Sequence, residues 1–187
     1  MSVIRKDAAF YQRSGGGVTF SGGECTMQGV FLRHLMDACL AEGLHICLDT
    51  CGQTNRGLFE ELMGKADLFL FDIKHMDNER HKALTGVGNG AILRNLRRLL
   101  ERYPEKVRIR MPLIPALNDA EENIASMAAF LKPYGIKHVD VLPCHAFGRN
   151  KYAALMRSVP SVSHYAPEQL HAVLERFQDA GLDVEVV

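Results

Sequence analysis

Residue types able to do chemistry fall into five short groups: Ser21-Gly22-Gly23-Glu24, Asp49-Thr50-Cys51-Gly52-Gln53-Thr54, Asp72-Ile73-Lys74-His75, Arg108-Ile109-Arg110 and Pro143-Cys144-His145. In the first, two glycines allow a close backbone approach to a ligand, and Glu24 offers an acceptor for an ammonium group. A glycine-rich turn between strand and helix serves a phosphate equally well, or no ligand at all. Alternate residues of a strand share a face, so Asp72 points with Lys74, and Arg108 with Arg110. Taken singly, each of these residues is also explained by a helix cap or a surface ion pair.

Five cysteines stand at positions 25, 39, 47, 51 and 144. Cys47 and Cys51 have the spacing CxxxC, but the position three further on is Thr54, and no CxxxCxxC occurs in the chain. Iron-sulfur clusters take a complete set of thiolates, so Cys47 reads instead as a small buried hydrophobe within a strand. Cys25 and Cys144 stand beside the polar groups, where ordinary packing accounts for them. An odd, irregularly spaced set in a chain with enough core to need no staples points to reduced thiols.

The elements that must position these groups are legible from hydrophobic periodicity. Val18 to Phe20, Leu44 to Leu48, Asp67 to Ile73, Val107 to Met111 and Val139 to Leu142 are short, partly β-branched runs that read as buried parallel strands, with Asp183 to Val187 as a last one. Between them, Phe31, Leu32, Leu35, Met36, Cys39 and Leu40 recur at helical spacing, as do Leu58, Phe59, Leu62 and Met63. Ile92, Leu93, Leu96, Leu99 and Leu100 form a third stripe, opposite a solvated row of Arg94, Arg97, Arg98 and Arg102. Asn118 followed by Glu121 resembles a capping box for a helix that buries Ile124, Met127 and Leu131. Pro167 starts another helix, which Gly181 ends. Strands alternating with helices predict a parallel α/β sheet with right-handed crossovers, either doubly wound or curved toward a barrel. In both, ligands meet the carboxyl ends of the strands, where all five polar groups fall.

Composition narrows the function. The 187 residues carry 22 basic and 22 acidic side chains, so nothing favours nucleic acid or an anionic membrane. Arg5, Lys6 and Asp7 interrupt any secretory signal, and the longest apolar runs, such as Leu68 to Phe71, are too short to span a bilayer. A cytoplasmic, single-domain protein over residues 1–187 is expected, with 47% hydrophobic residues available for its core.

In order along the chain stand GGGVTFSGGE (Gly15 to Glu24), HICLDTCG (His45 to Gly52), DLFLFDIKHMD (Asp67 to Asp77), LTGV (Leu84 to Val87), RIRMPLIPALND (Arg108 to Asp119) and VLPCHAFGRNKY (Val141 to Tyr152). This series closely resembles the glycyl-radical enzyme activating enzymes, typified by pyruvate formate-lyase activating enzyme. An unrelated α/β enzyme using SGGE for phosphate accounts for the first loop but for none of the other five stations.

The resemblance implies a radical S-adenosylmethionine enzyme with a partial (β/α)6 barrel. Its family passes one electron from a 4Fe-4S cluster to S-adenosylmethionine, and the resulting 5'-deoxyadenosyl radical takes a hydrogen from one glycine of a large partner. It also implies site residues. Gly22, Gly23 and an ionised Glu24 would meet the methionine amino group. Arg110 and His145 match basic positions near the cofactor, with Arg110 suited to a carboxylate. Lys74 and Asp49 line the same pocket, and Asp49, Thr50 and Asp72 match positions that hold a monovalent cation. The implied partners are a glycyl-radical enzyme of the pyruvate formate-lyase kind and an electron donor of flavodoxin or ferredoxin type.

One departure shapes the expectation. The family places CxxxCxxC upstream of the glycine-rich stretch, whereas the sixteen residues before Gly17 include no cysteine. The chain is therefore expected to be a barrel with its first strand and cluster loop missing, inactive by itself and prone to self-association through an exposed strand edge. A cluster-less module that docks on a glycyl-radical enzyme, or binds S-adenosylmethionine without chemistry, is the alternative.

Overall fold

The computed structural model describes residues 1–144, 154, 156 and 164–187, so His145 and the rest of the last station lie outside the described residues. Six strands, β1 (Gly17–Phe20), β2 (His45–Thr50), β3 (Leu68–Asp72), β4 (Val107–Leu113), β5 (His138–Pro143) and β6 (Asp183–Val186), form one open sheet in that order. The α-helices of the described residues are α1 (Ala8–Ser14), α2 (Gly29–Ala41), α3 (Arg56–Met63), α4 (Asn78–Thr85), α5 (Gly90–Arg102), α6 (Glu121–Leu131) and α7 (Pro167–Asp179). The expected strands all form, within a few residues of their predicted ends. Helix α4, rich in polar residues, and the seven-residue α1 carried no apolar stripe to announce them. No helix among the described residues is long and apolar enough to cross a membrane.

The residues segregate into two compact units: Met1–Asp72 with Val87–Ile109, and Ile73–Gly86 with Arg110–Val187. In the first, β1 pairs parallel with β2, Gly17 opposite His45 and Phe20 opposite Leu48. β2 pairs parallel with β3, Asp49 opposite Leu70 and Thr50 opposite Phe71. Phe69 and Phe71, both fully buried, therefore share a face, and Phe59 of α3 packs on them with ring centroids 6.1 and 6.3 Å away. Each such buried aromatic contributes roughly 1.5–3 kcal/mol by leaving water. Helix α2 buries Leu32, Met36 and Cys39, whereas Phe31, which the helical stripe had included, is 64% exposed. Helix α5 follows its pattern: Ile92, Leu96, Leu99 and Leu100 are buried, and Arg94, Arg97 and Arg102 face solvent.

In the second unit β5 pairs parallel with β6 from His138 opposite Asp183 to Val141 opposite Val186. Val139 and Val141 join Ile124, Met127 and Leu131 of α6 and Val173 and Phe177 of α7 in the core. Pro167 opens α7, where the Ala166 N–H donates to Gln169 Oε1 at 3.0 Å. Just before α7 the Tyr165 hydroxyl donates to Asp119 Oδ2 at 2.9 Å, while Arg176 donates to the Asp119 carbonyl at 2.9 Å. Burial and the Asp119 carboxylate together push the Tyr165 hydroxyl well above the usual tyrosine range.

The expected Asn118 cap is corrected. The N-cap of α6 is Ala120, with no side-chain cap. Asn118 instead accepts from the Ile114 N–H at 2.8 Å and donates to the carbonyls of Lys74 at 3.0 Å and Pro112 at 2.6 Å. A buried amide that serves three backbone groups at once cannot also cap a helix.

Candidate functional site at the ends of β1 and β2

The chain leaves β1 through Ser21 and turns at Gly22, whose φ of 142° is closed to ordinary side chains. No atom lies within 4 Å of where a Cβ on Gly22 or Gly23 would sit, so this backbone stands open. Glu24, extended at φ −149° and ψ 111°, then caps a short turn at Cys25–Gln28. With Phe31 and Leu35 of α2 as its apolar wall, the turn encloses a cavity of about 370 Å³ reached by Ser21, Gly22, Gly23 and Glu24.

The Glu24 carboxylate is the centre of this corner. Its Oε1 accepts from the Thr26 N–H at 3.1 Å, the Thr26 hydroxyl at 2.8 Å and the Thr50 hydroxyl at 2.7 Å. Its Oε2 accepts from the Cys51 N–H at 2.9 Å and the Cys51 thiol at 3.0 Å. A carboxylate has about four lone-pair positions, and these five donors occupy them. Glu24 thus staples the turn after β1 to the end of β2. Burial opposes its charge, but the hydrogen bonds from Cys51, Thr50 and Thr26 outweigh that and hold its pKa below the ordinary 4.5.

A carboxyl with a lowered folded-state pKa contributes stability that is complete above its unfolded value and is lost as pH falls through the folded one. Unfolding followed from neutral into acid conditions is expected to show a loss of stability, beginning below 4.5, that is diminished in Glu24→Gln. Identical pH profiles for the two proteins would contradict the assignment.

Further contacts brace the corner. The Thr50 hydroxyl accepts from the Gly52 N–H at 2.9 Å, and Asn95 of α5 donates to the carbonyls of Gly52 at 2.9 Å and Thr54 at 3.0 Å. Ser21 donates to Asp49 Oδ2 at 2.7 Å. Sequence reasoning missed Thr26, Cys51 and Asn95 as parts of this network. Cys51 stood in the second polar group and Asn95 left a signal as a polar residue among the buried positions of α5, whereas Thr26 left none.

The remaining expected site residues fall as follows. Asp49 and Asp72 share a face, because Asp72 lies two residues beyond Leu70, the register partner of Asp49. Thr50 occupies the other face of β2, its hydroxyl already used by Glu24 and Gly52. Lys74 belongs to the second unit and lies past the end of β3, so strand parity does not govern its direction. Its carbonyl takes the Asn118 bond, and the neighbouring His75 is buried, which lowers its pKa, with Arg80 adding to the effect. Arg110, on β4, alternates with buried Ile109 and Met111, and its carbonyl accepts from the Ile73 N–H at 2.9 Å.

Four of the five cysteines are divided between the core and the Glu24 corner. Cys39 and Cys47 are closed into the core, at 0% and 6% exposure. Burial, aided by the charges of Glu24 and Asp49, pushes the Cys25 thiol up to about 12. Cys51 gives its thiol hydrogen to Glu24, and none of the five cysteines forms a disulfide.

The sequence pattern of the radical SAM superfamily matches residues 2–128. The chain is 37% identical over 186 residues to the choline trimethylamine-lyase activating enzyme of Oleidesulfovibrio alaskensis, covering 95% of this chain and 60% of that protein. It is 36% identical over 188 residues to the trans-4-hydroxy-L-proline dehydratase activating enzyme of Clostridioides difficile, covering 98% and 62%. It therefore spans about three-fifths of the length of these relatives. A crystal structure of a domain of pyruvate-formate lyase-activating enzyme from Bacteroides vulgatus superimposes with a TM-score of 0.73 at 30% identity, covering 92% of this chain and 99% of that one.

Proposed function

Because this chain belongs to the radical SAM superfamily, and within it to the activating enzymes of glycyl-radical enzymes, we propose that it forms the S-adenosylmethionine-holding part of such an activase. The observation that carries the reading is the open Gly22-Gly23 backbone beside a cavity at the ends of β1 and β2, with Glu24 stapling its rim. With every lone pair of Glu24 engaged, backbone carbonyls of this turn meet the methionine ammonium, and Glu24 fixes their position. By the family resemblance, Arg110 is assigned to the carboxylate of the ligand in a bidentate fork, and Asp49, Lys74 and His145 are assigned to binding the same ligand. Asp49, Thr50 and Asp72 hold a monovalent cation through oxygen ligands, the two carboxylates from one face and Thr50 through its carbonyl, since its hydroxyl is engaged by Glu24 and Gly52. When bound, S-adenosylmethionine supplies the precursor of a radical able to take a hydrogen from carbon.

In the whole protein, this part serves a radical SAM oxidoreductase that places a glycyl radical on a partner enzyme, with a flavodoxin- or ferredoxin-type donor supplying the electron. A pyruvate formate-lyase-like partner is our reading. Relatives of 37% and 36% identity are named for a choline trimethylamine-lyase and a hydroxyproline dehydratase, so identity does not choose among substrates. Five cysteines without a disulfide favour a cytoplasmic setting. Exposed Met27, Val30 and Phe31 favour self-association near the β1 edge. The division of four cysteines between the core and the Glu24 corner supports a second reading, in which these 187 residues bind S-adenosylmethionine without cleaving it.

Anaerobic calorimetry tests the site. The chain is expected to bind S-adenosylmethionine, and Gly23→Ala, whose added Cβ meets no protein atom within 4 Å, to bind at least about tenfold more weakly with an unchanged melting temperature. Binding that ignores Gly23→Ala sinks the assignment. Formation of 5'-deoxyadenosine by the chain alone, supplied with iron, sulfide and a reductant, would sink the claim that it cannot cleave the ligand.

A further inference from the structure

Strands β5 and β6 carry a group that the activase reading does not use. His138 and Asp140 share a face of β5, two residues apart, and the parallel register sets Glu185 of β6 directly opposite Asp140. His138 Nε2 lies 3.0 Å from Asp140 Oδ1 and 3.7 Å from Glu185 Oε2, and one ligand atom from each of the three residues lies within 4.8 Å of the others. Four-coordinate zinc, with bonds of about 2.0–2.2 Å, spaces its ligand atoms roughly 3.3–3.6 Å apart, so small side-chain adjustments admit an ion among them. The Asp140 side chain is only 4% exposed and fixes one ligand rigidly. Those of His138 and Glu185, at 49% and 59%, leave an entry path from solvent.

We propose that His138, Asp140 and Glu185 form a binding site for a divalent transition metal of the zinc class. The donor set decides the class. Imidazole with two carboxylates suits zinc, cobalt or manganese, offers copper(I) no soft sulfur, and supplies too few oxygens for calcium. The ion bridges neighbouring strands and pins β6, a strand of only four residues, to β5. This site depends on no property of the Glu24 corner, so either can fail alone.

The test is uptake of zinc and of cobalt by the 187-residue chain, by calorimetry and by metal content after desalting. One equivalent is expected to bind, to raise the melting temperature, and to lose affinity at least about tenfold in His138→Gln and in Glu185→Gln. Both positions are partly exposed, and circular dichroism checks that the variants fold; Asp140→Asn is the third, riskier variant. The cobalt form is expected to show d–d bands without thiolate charge transfer, which separates this site from the five cysteines. No uptake, uptake unchanged in the two glutamine variants, or a thiolate spectrum would overturn the proposal.

Discussion

Replacing Glu24 by glutamine is expected to destabilise the chain by about 2–4 kcal/mol, well beyond a change in ligand affinity. The carboxylate accepts from five donors on Thr26, Thr50 and Cys51. An amide of the same shape keeps one acceptor atom and turns two N–H groups toward those donors. Hydroxyls can rotate to accept, but the backbone N–H groups of Thr26 and Cys51 cannot. One of them is left facing another donor, at a cost of about 1–3 kcal/mol, and charge-assisted bonds are lost as well. For a chain of this length the melting temperature should fall by roughly 5–15 °C. Cys51→Ala is the control: it removes one weak S–H donor and should cost less than about 1 kcal/mol. If Glu24→Gln melts with the parent protein, the carboxylate is not the staple described above. It would then be available to a ligand ammonium after all.

Gly52→Ala is expected to cost a comparable 2–5 kcal/mol or so, from two sources that add. Gly52 has φ 71°, and an L-residue there pays about 1–2 kcal/mol in backbone strain. A methyl group would also stand 2.6 Å from the Phe71 ring, in a core whose overpacking costs about 1–3 kcal/mol. Phe71 cannot move aside freely, since Phe59 packs edge-on against it at 6.3 Å. The expected readout is a lower denaturant midpoint with an unchanged slope, along with weaker S-adenosylmethionine binding, because the Gly52 N–H supports the Thr50 hydroxyl that holds Glu24. Gly64→Ala provides the comparison. Gly64 has φ −75°, and its added methyl meets nothing closer than 3.7 Å, so the change should be neutral or slightly stabilising. Equal midpoints for Gly52→Ala and Gly64→Ala would refute the close approach to Phe71.

Both residues sit in stations that the sequence already marked, yet the reasons differ from those the sequence offered. Glu24 stood out as an acid after two glycines, with a ligand as its natural partner. The folded chain assigns that acid first to protein donors, three of which come from residues 26 and 27 positions away. Gly52 was part of a polar loop, and only the packing of Phe71 beneath it explains why no side chain is tolerated there. Asn118 went wrong in an instructive way. Its spacing to Glu121 fits a cap, but the groups it serves include the Lys74 carbonyl, 44 residues earlier, which no local pattern can register.

What the sequence determined by itself was whatever repeats over short distances. Apolar periodicity gave six strands and most of the helices between them, hence a parallel α/β sheet, and the order of the six stations gave the family. These follow from local physics, because the side-chain periods of strand and helix are written directly in residue spacing. Only the tertiary structure decided which atoms meet: Glu24 with Cys51, Asn95 with Gly52, and His138 and Asp140 with Glu185. Such meetings depend on strand register and on the packing of distant segments, where a shift of one residue would turn every side chain to the other face. The chemistry of the corner is thus announced by Gly22-Gly23-Glu24 but set by the register of β1 against β2.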